Sequence, residues 1–200
     1  MTKRALIGLG QSGSAIVEDI ISMEMLEKTE FFCINSYKNN ITFSKNIPKK
    51  NWFMFDLDSG FSQEPKSCFD FLEQENELRE KMISWVKNIL EEFEEVLLIT
   101  FSPSGTGLGT LSTILNSNIR IAKKAIVIEN SDSSFYQEKF HENRKWIEGI
   151  SSEFDTLTFI SFDAEKELKI KEKLGYKLDF ANMRYTLINE LVNNKNHNFN

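Results

Sequence analysis

The chain has 200 residues, enough for one well-buried domain, with 40% hydrophobic and 27% charged residues, the balance of a soluble globular protein. Its formal net charge of −6 argues against a surface built as a whole for polyanions, so direct nucleic-acid binding is not indicated. No apolar run approaches the ~20 residues of a membrane span, Cys33 and Cys68 are too few for a disulfide framework, and His141 and His197 lack metal-ligand spacing, so the expectation is a cytoplasmic protein with reduced thiols and no zinc site.

The first predicted strand is RALIGLG, residues 4–10. A helix follows, marked by Ile16, Ile20, Ile21 and Met25. FFCIN (31–35) and WFMFDL (52–57) are the next strands, and DSGFSQEPKS (58–67) is a loop by composition. The run from Cys68 to Phe93 reads as one long helix with Phe69, Leu72, Leu78, Met82, Trp85, Val86 and Leu90 inward. VLLITF (96–101) is a strand buried on both faces, as unbroken apolar runs in parallel sheets are. LSTILNSNI is a short helix, AIVIE (125–129) a strand, and the stretch from Ser134 to Phe154 a helix with Phe135, Phe140, Trp146, Ile147 and Ile150 inward. TLTFISF (156–162) is the sixth strand. Two more helices are expected, AEKELKIKEKLG closed by Gly175, and LDFANMRYTLINELV; residues 193–200 form a loose tail.

Strands alternating with helices imply an α/β fold: three layers, with a mostly parallel Rossmann-like sheet of about six strands and helices on both faces. Right-handed crossovers place the loops after the strands along one sheet edge, where ligands bind.

Two of those loops are rich in glycine. Gly8, Gly10 and Gly13 form G-x-G-x-x-G between a strand and a helix, where backbone N–H groups and a helix start favour a phosphate. A dinucleotide site needs a carboxylate at the end of the second strand; this chain has Asn35 and Ser36 there, which weakens the reading of a dinucleotide-dependent oxidoreductase. The second loop, Ser104 to Gly109, also lies between a strand and a helix, and two helix starts aimed at one point suit a chain of phosphates. Neither loop holds a lysine, so the P-loop mechanism is absent. Charge would be balanced by amides, helix ends and a Mg2+ held mostly through water.

With these residues in view, the sequence resembles the tubulin/FtsZ superfamily, from Lys3 to about Val192. GLGQSGS is similar to the family's first phosphate loop, CINSYKNN to its INTD-type loop, and SPSGTGLGT to its GGGTGTG signature. FDTLTFISFDAEKEL resembles the segment beside the base, and LDFANMRYTLINEL the start of the central helix. The relaxed signature, with Pro103, Ser104 and Leu108 in place of family residues, fits the plasmid- and phage-borne TubZ-like branch.

The resemblance implies GTP or GDP with Mg2+ as ligands. It implies phosphate contacts from Gly10, Gln11, Ser12, Ser104, Gly105, Thr106 and Gly107, and base or ribose contacts from Asn35, Glu138, Phe162 and Asn182. Phe162 stands where the family has an Asn, and a phenyl ring stacks on a base without hydrogen-bonding to it. Arg144 is a weaker candidate for the ribose or phosphate. In the family an acidic residue after the central helix completes hydrolysis on the next subunit, yet no Asp or Glu follows Glu190 here. The expectation is therefore a GTP-binding domain over 1–192, without the second, activation domain and without catalytic residues of its own. Its partner would be itself, head to tail, or a related longer subunit; its role would be cytoskeletal, in plasmid or phage segregation or positioning. A non-hydrolysing regulatory or filament-interaction module is the alternative within the same fold.

Overall fold

The structure is a computed structural model that describes residues 3–22, 29–37, 46–102, 104–117, 119, 124–130, 137–150 and 156–162. Its strands are β1 (Arg4–Leu9), β2 (Thr29–Tyr37), β3 (Trp52–Leu57), β4 (Glu95–Ser102), β5 (Lys124–Asn130) and β6 (Thr156–Phe162). Its helices are α1 (Gly10–Ser22), α2 (Pro65–Gln74), α3 (Asn76–Glu92), α4 (Gly105–Leu115) and α5 (Gln137–Ile150), and a 3-10 turn, Lys49–Asn51, leads into β3.

Every strand pair is parallel, in the order β3-β2-β1-β4-β5-β6. The chain begins mid-sheet, winds out through β2 and β3, then returns to lay β4 against the free side of β1. That return makes the β1–β4 junction the switch point, and the loops after these two neighbouring strands diverge there.

Side chains alternate across the strands and build two cores. Ala5, Ile7, Leu9, Phe32, Ile34 and Leu98 face a large cluster with residues of α2, α3 and α4. Leu6, Cys33 and Ile99 face the opposite side, where Ile16, Val17 and Ile20 of α1 cover them. An aromatic group fixes α3 on the first face: Trp85 lies 5.8 Å edge-on from Phe32 and 5.7 Å from Phe53.

Two helices differ from their sequence pattern. The expected helix from Cys68 to Phe93 is two, parted at Glu75, whose φ −88 and ψ 65 leave the helical region. α2 must pack on α4, with Cys68 against Gly109, while α3 lies on the sheet through Met82, Val86 and Leu90. One straight axis does not serve both contacts, and apolar spacing carries no sign of the change of direction. Across the break Arg79 Nε stands 3.0 Å from Glu73 Oε1. α4 starts earlier than expected, since the glycine loop is itself its first turn, and all eleven residues from Gly105 to Leu115 are buried. The expected helices after Phe162, and the tail, lie outside the described residues.

Candidate site at the switch point

Gly10, the residue after β1 and the first of α1, has φ +72, a left-handed conformation that strains any residue with a Cβ. A Cβ placed there would stand 2.7 Å from Ser104 Oγ and 2.8 Å from the Gly107 nitrogen. The start of α1 therefore rests directly on the start of α4. The contact is mutual: a Cβ on Gly107 would fall 2.6 Å from the Leu9 carbonyl oxygen and 2.1 Å from Thr100 Oγ1. Thr100 Oγ1 in turn donates to that carbonyl at 3.2 Å, fastening β4 to the end of β1. Gly13 packs on the Ile99 carbonyl and on Gly8, which seats α1 over β1 and β4.

The first turn of α4 is organised by hydroxyls. Ser104 is the N-cap, in extended conformation, and its Oγ accepts from the Gly107 N–H at 3.1 Å. Thr106 Oγ1 and Ser36 Oγ share a buried hydrogen bond of 2.7 Å, joining α4 to the end of β2. Asn35, beside it and buried, accepts the Ser36 N–H on its Oδ1. The loop after β3 closes the group: the Gly105 N–H donates to the Ser62 carbonyl at 2.7 Å, and a Cβ on Gly105 would meet the Phe61 carbonyl at 2.4 Å. Ser62 bends this loop with a positive φ of 47, and Asp56, next to last in β3, has one of 61.

The glycines have a part in packing. They bring backbone to backbone within the chain, and two of the α4 amides, on Gly105 and Gly107, are held by the chain itself. The outward part of the site is the first turn of α1, where Gln11 is exposed and Ser12 half-buried. Amides of a helix's first turn have no partner within the helix, and the helix end carries about half a positive charge. Ser102, the last residue of β4, is buried with a hydroxyl that has no hydrogen-bond partner. Such a hydroxyl and those outward amides fit a polar, anionic ligand at the junction.

Of the residues expected at the site, the structure brings together Gly10, Ser104, Gly105, Thr106 and Gly107, with Gln11 and Ser12 on the rim and Asn35 at the end of β2. Glu138 lies in the first turn of α5 and Phe162 ends β6, whose register sets it beside Asn130 of β5. Asn182 lies outside the described residues. Arg144 is exposed and paired with Glu148 at 3.0 Å. Thr100, Phe61 and Ser62 were not legible as members, because a strand threonine and two loop residues carry no mark of where their neighbours lie. Next to α4, burial pushes the Cys68 thiol up to about 12, against hydrogen bonding with Thr110 that lowers it, so Cys68 is no thiolate near neutral pH. Among the described residues no group of three or more His, Cys, Asp or Glu is placed to hold a metal.

No protein-family model matches this chain, and no curated protein matches it. Solved structures do. TubZ of Bacillus thuringiensis serovar israelensis, solved as a GTPγS-form protofilament, superposes with a TM-score of 0.71 at 16% identity, covering 95% of this chain and 55% of that one. FtsZ of M. jannaschii, an empty dimer, gives 0.64 at 16% identity over 96% of this chain and 54% of that one. CetZ of Methanosaeta thermophila gives 0.64 at 13% identity over 100% and 56%. The chain spans a little over half the length of the structures it matches. It has the fold of the tubulin/FtsZ nucleotide-binding domain.

Proposed function

We propose that the chain binds GTP or GDP with Mg2+ at the β1–β4 switch point, as the nucleotide-binding part of a tubulin/FtsZ-like cytoskeletal system. The observation that carries this is the meeting of two helix starts, Gly10 against Ser104 and Gly107. Phosphates would lie over the first turn of α1, on the amides of Gln11 and Ser12, with Gly10 and the Ser104–Gly107 turn as the supporting wall. The Ser104 cap and the Ser36–Thr106 bond hold that wall in place. Mg2+, held mostly through water since no cluster of carboxylates among the described residues is placed to hold it, would supply the charge balance that a P-loop lysine supplies elsewhere. Asn35 and Glu138 are assigned to the ribose side, Phe162 and Asn182 to the base. None of the chain's own residues is assigned to the attack on the phosphate. Hydrolysis is placed in head-to-tail assembly with a second copy or a longer related subunit. The TubZ likeness, whose matched structure is a protofilament, supports that assembly, and we assign the assembly a role in plasmid or phage DNA segregation or positioning.

The test is a thermal shift with Mg2+ and GTP, GDP, ATP or NAD in turn. A ligand at about 100 times its Kd stabilises by about 2.7 kcal/mol. At roughly 2–4 °C per kcal/mol for a chain of this size, that is a rise of roughly 5–10 °C. Guanine nucleotides should give it and NAD should not. No shift with GTP or GDP, or an equal shift with NAD, rejects the assignment. Phosphate release by the chain alone at micromolar concentration should be slow, and brisk release would contradict the placing of hydrolysis in assembly.

A further inference from the structure

β3 ends the sheet, and among the described residues no strand lies on its outer side. An edge strand presents a row of backbone groups that pairs with another strand unless something blunts it. Charge is the usual means, and here the centre of the strand, Trp52-Phe53-Met54-Phe55, has none. Its first three residues are half-buried, in part open to solvent. The charges sit at the two ends and differ in sign. Lys49 and Lys50 are exposed before the strand, and Asp56 and Asp58 are exposed at its far end. The one irregularity, a register shift between Asn35 and Tyr37 against Met54 and Leu57, falls at that far end and leaves the apolar centre regular.

Beside the edge runs a groove between β3 and α3. Phe53 and Trp85 form its floor, and Glu77, Glu80, Lys81 and Ser84 stand along its wall. Glu77 is held ionised below its ordinary range by Lys81, with which it pairs at 2.6 Å.

We propose that two copies of this chain associate through β3, pairing antiparallel about a two-fold axis perpendicular to the sheet, with the Lys49–Lys50 end of each copy against the Asp56–Asp58 end of the other. The charge order decides the direction. Parallel pairing sets lysine beside lysine and aspartate beside aspartate; antiparallel pairing sets each sign beside its opposite, twice by symmetry. The same axis keeps both α3 helices on one face of the joined sheet, so the Phe53–Trp85 grooves of the two copies face each other and close. The surface is self-complementary, and the product is a closed dimer rather than an open chain. It lies on the lateral edge of the sheet, two strands out from β1, and it requires no ligand.

The experiment is sedimentation velocity on the full chain without nucleotide and with a chelator, from low micromolar to a few hundred micromolar protein. Wild type should move from monomer to dimer and stop. Lys49→Glu with Lys50→Glu should weaken the dimer about tenfold or more, and Asp58→Lys should weaken it in the same sense. A mixture of the two variants should recover association, because each then offers the charge the other has lost. Circular dichroism and melting of both variants, whose changes are all at exposed positions, check that each is folded. A wild type that stays monomeric, a dimer indifferent to the Lys49 and Lys50 changes, open-ended oligomers, or a mixture no better than either variant each overturns the proposal.

Discussion

Gly107→Ala separates two physical effects at one residue. Gly107 lies inside α4 and its φ is not positive, so alanine is conformationally allowed there and helix propensity favours it by about 1 kcal/mol. The added methyl, however, meets the Leu9 carbonyl at 2.6 Å and Thr100 Oγ1 at 2.1 Å. Neither can step aside cheaply: one is sheet backbone, and the other is a buried hydroxyl bonded to it. Overpacking costs about 1–3 kcal/mol and the displaced hydrogen bond about 1 kcal/mol more. The clash wins, and the net is a loss of about 1–3 kcal/mol. Gly149→Ala is the control. Gly149 is exposed in α5, and a Cβ there meets nothing within 4 Å, so the same chemical change should stabilise by about 0.5–1 kcal/mol. Urea unfolding followed by tryptophan fluorescence reads both, since Trp85 is half-buried against the core of one face and Trp146 packs edge-on against Phe69 at 5.7 Å. A Gly107→Ala protein as stable as wild type, or shifted in the same direction as Gly149→Ala, would show that the two loops do not press on each other as described.

Other expected outcomes follow from the same geometry. Ser104→Ala removes the α4 cap and should cost about 1 kcal/mol, measured by the same unfolding; no loss would mean the Gly107 amide finds another acceptor. The Cys68 pKa is raised by burial, from 9.0 to about 12, so its contribution to stability is complete below about pH 9 and declines as pH climbs toward 12. From pH 8 to pH 11, wild type should lose roughly 2–3 kcal/mol more than Cys68→Ala does, one unit of pKa being 1.36 kcal/mol; parallel pH profiles for the two proteins would contradict the buried thiol. Gln11→Ala changes an exposed side chain, so its melting temperature should match wild type, whereas a bulky Ser12→Trp should obstruct the α1 start and abolish the GTP-induced shift. A full shift in Ser12→Trp would place the phosphates elsewhere.

Much of the fold was legible because its signals are local. β6 coincides with TLTFISF, and β4 extends VLLITF by one residue at either end, since an apolar run bounded by polar and glycine residues marks its own limits. The two glycine loops were legible for the same reason, and their common sheet edge followed from the handedness of crossovers. What stayed hidden depends on distance across the fold. The break at Glu75 answers to where α2 and α3 must pack, and nothing in the spacing of Leu72 and Met82 records it. The start of α4 was placed too late because glycine lowers helix propensity, while burial against Phe61, Ser62, Cys68 and Leu9 overrides that propensity. Thr100 read as an ordinary strand residue, though it is the hydroxyl that ties β4 to β1.

The glycine signature itself has a double meaning that only the packed structure separates. Glycine at a phosphate loop is ordinarily explained by the ligand's need for room. Here Gly8, Gly13, Gly105, Gly107 and Gly109 each stand where a Cβ would strike the chain's own backbone or a buried side chain within 3 Å. These residues therefore set the distance between β1, β4 and α4 before any ligand arrives, and the hydroxyls of Ser36, Thr100, Ser104 and Thr106 lock that distance. An anion gains from this arrangement indirectly. Two helix ends held close, with neither able to retreat, keep their partial charges near one point without reorganising on binding. A site built so needs no lysine in its loops, since the field comes from backbone fixed by packing. It follows that loss of a glycine here should harm folding and ligand affinity together, while obstruction at Gln11 and Ser12 on the rim should harm affinity more than folding.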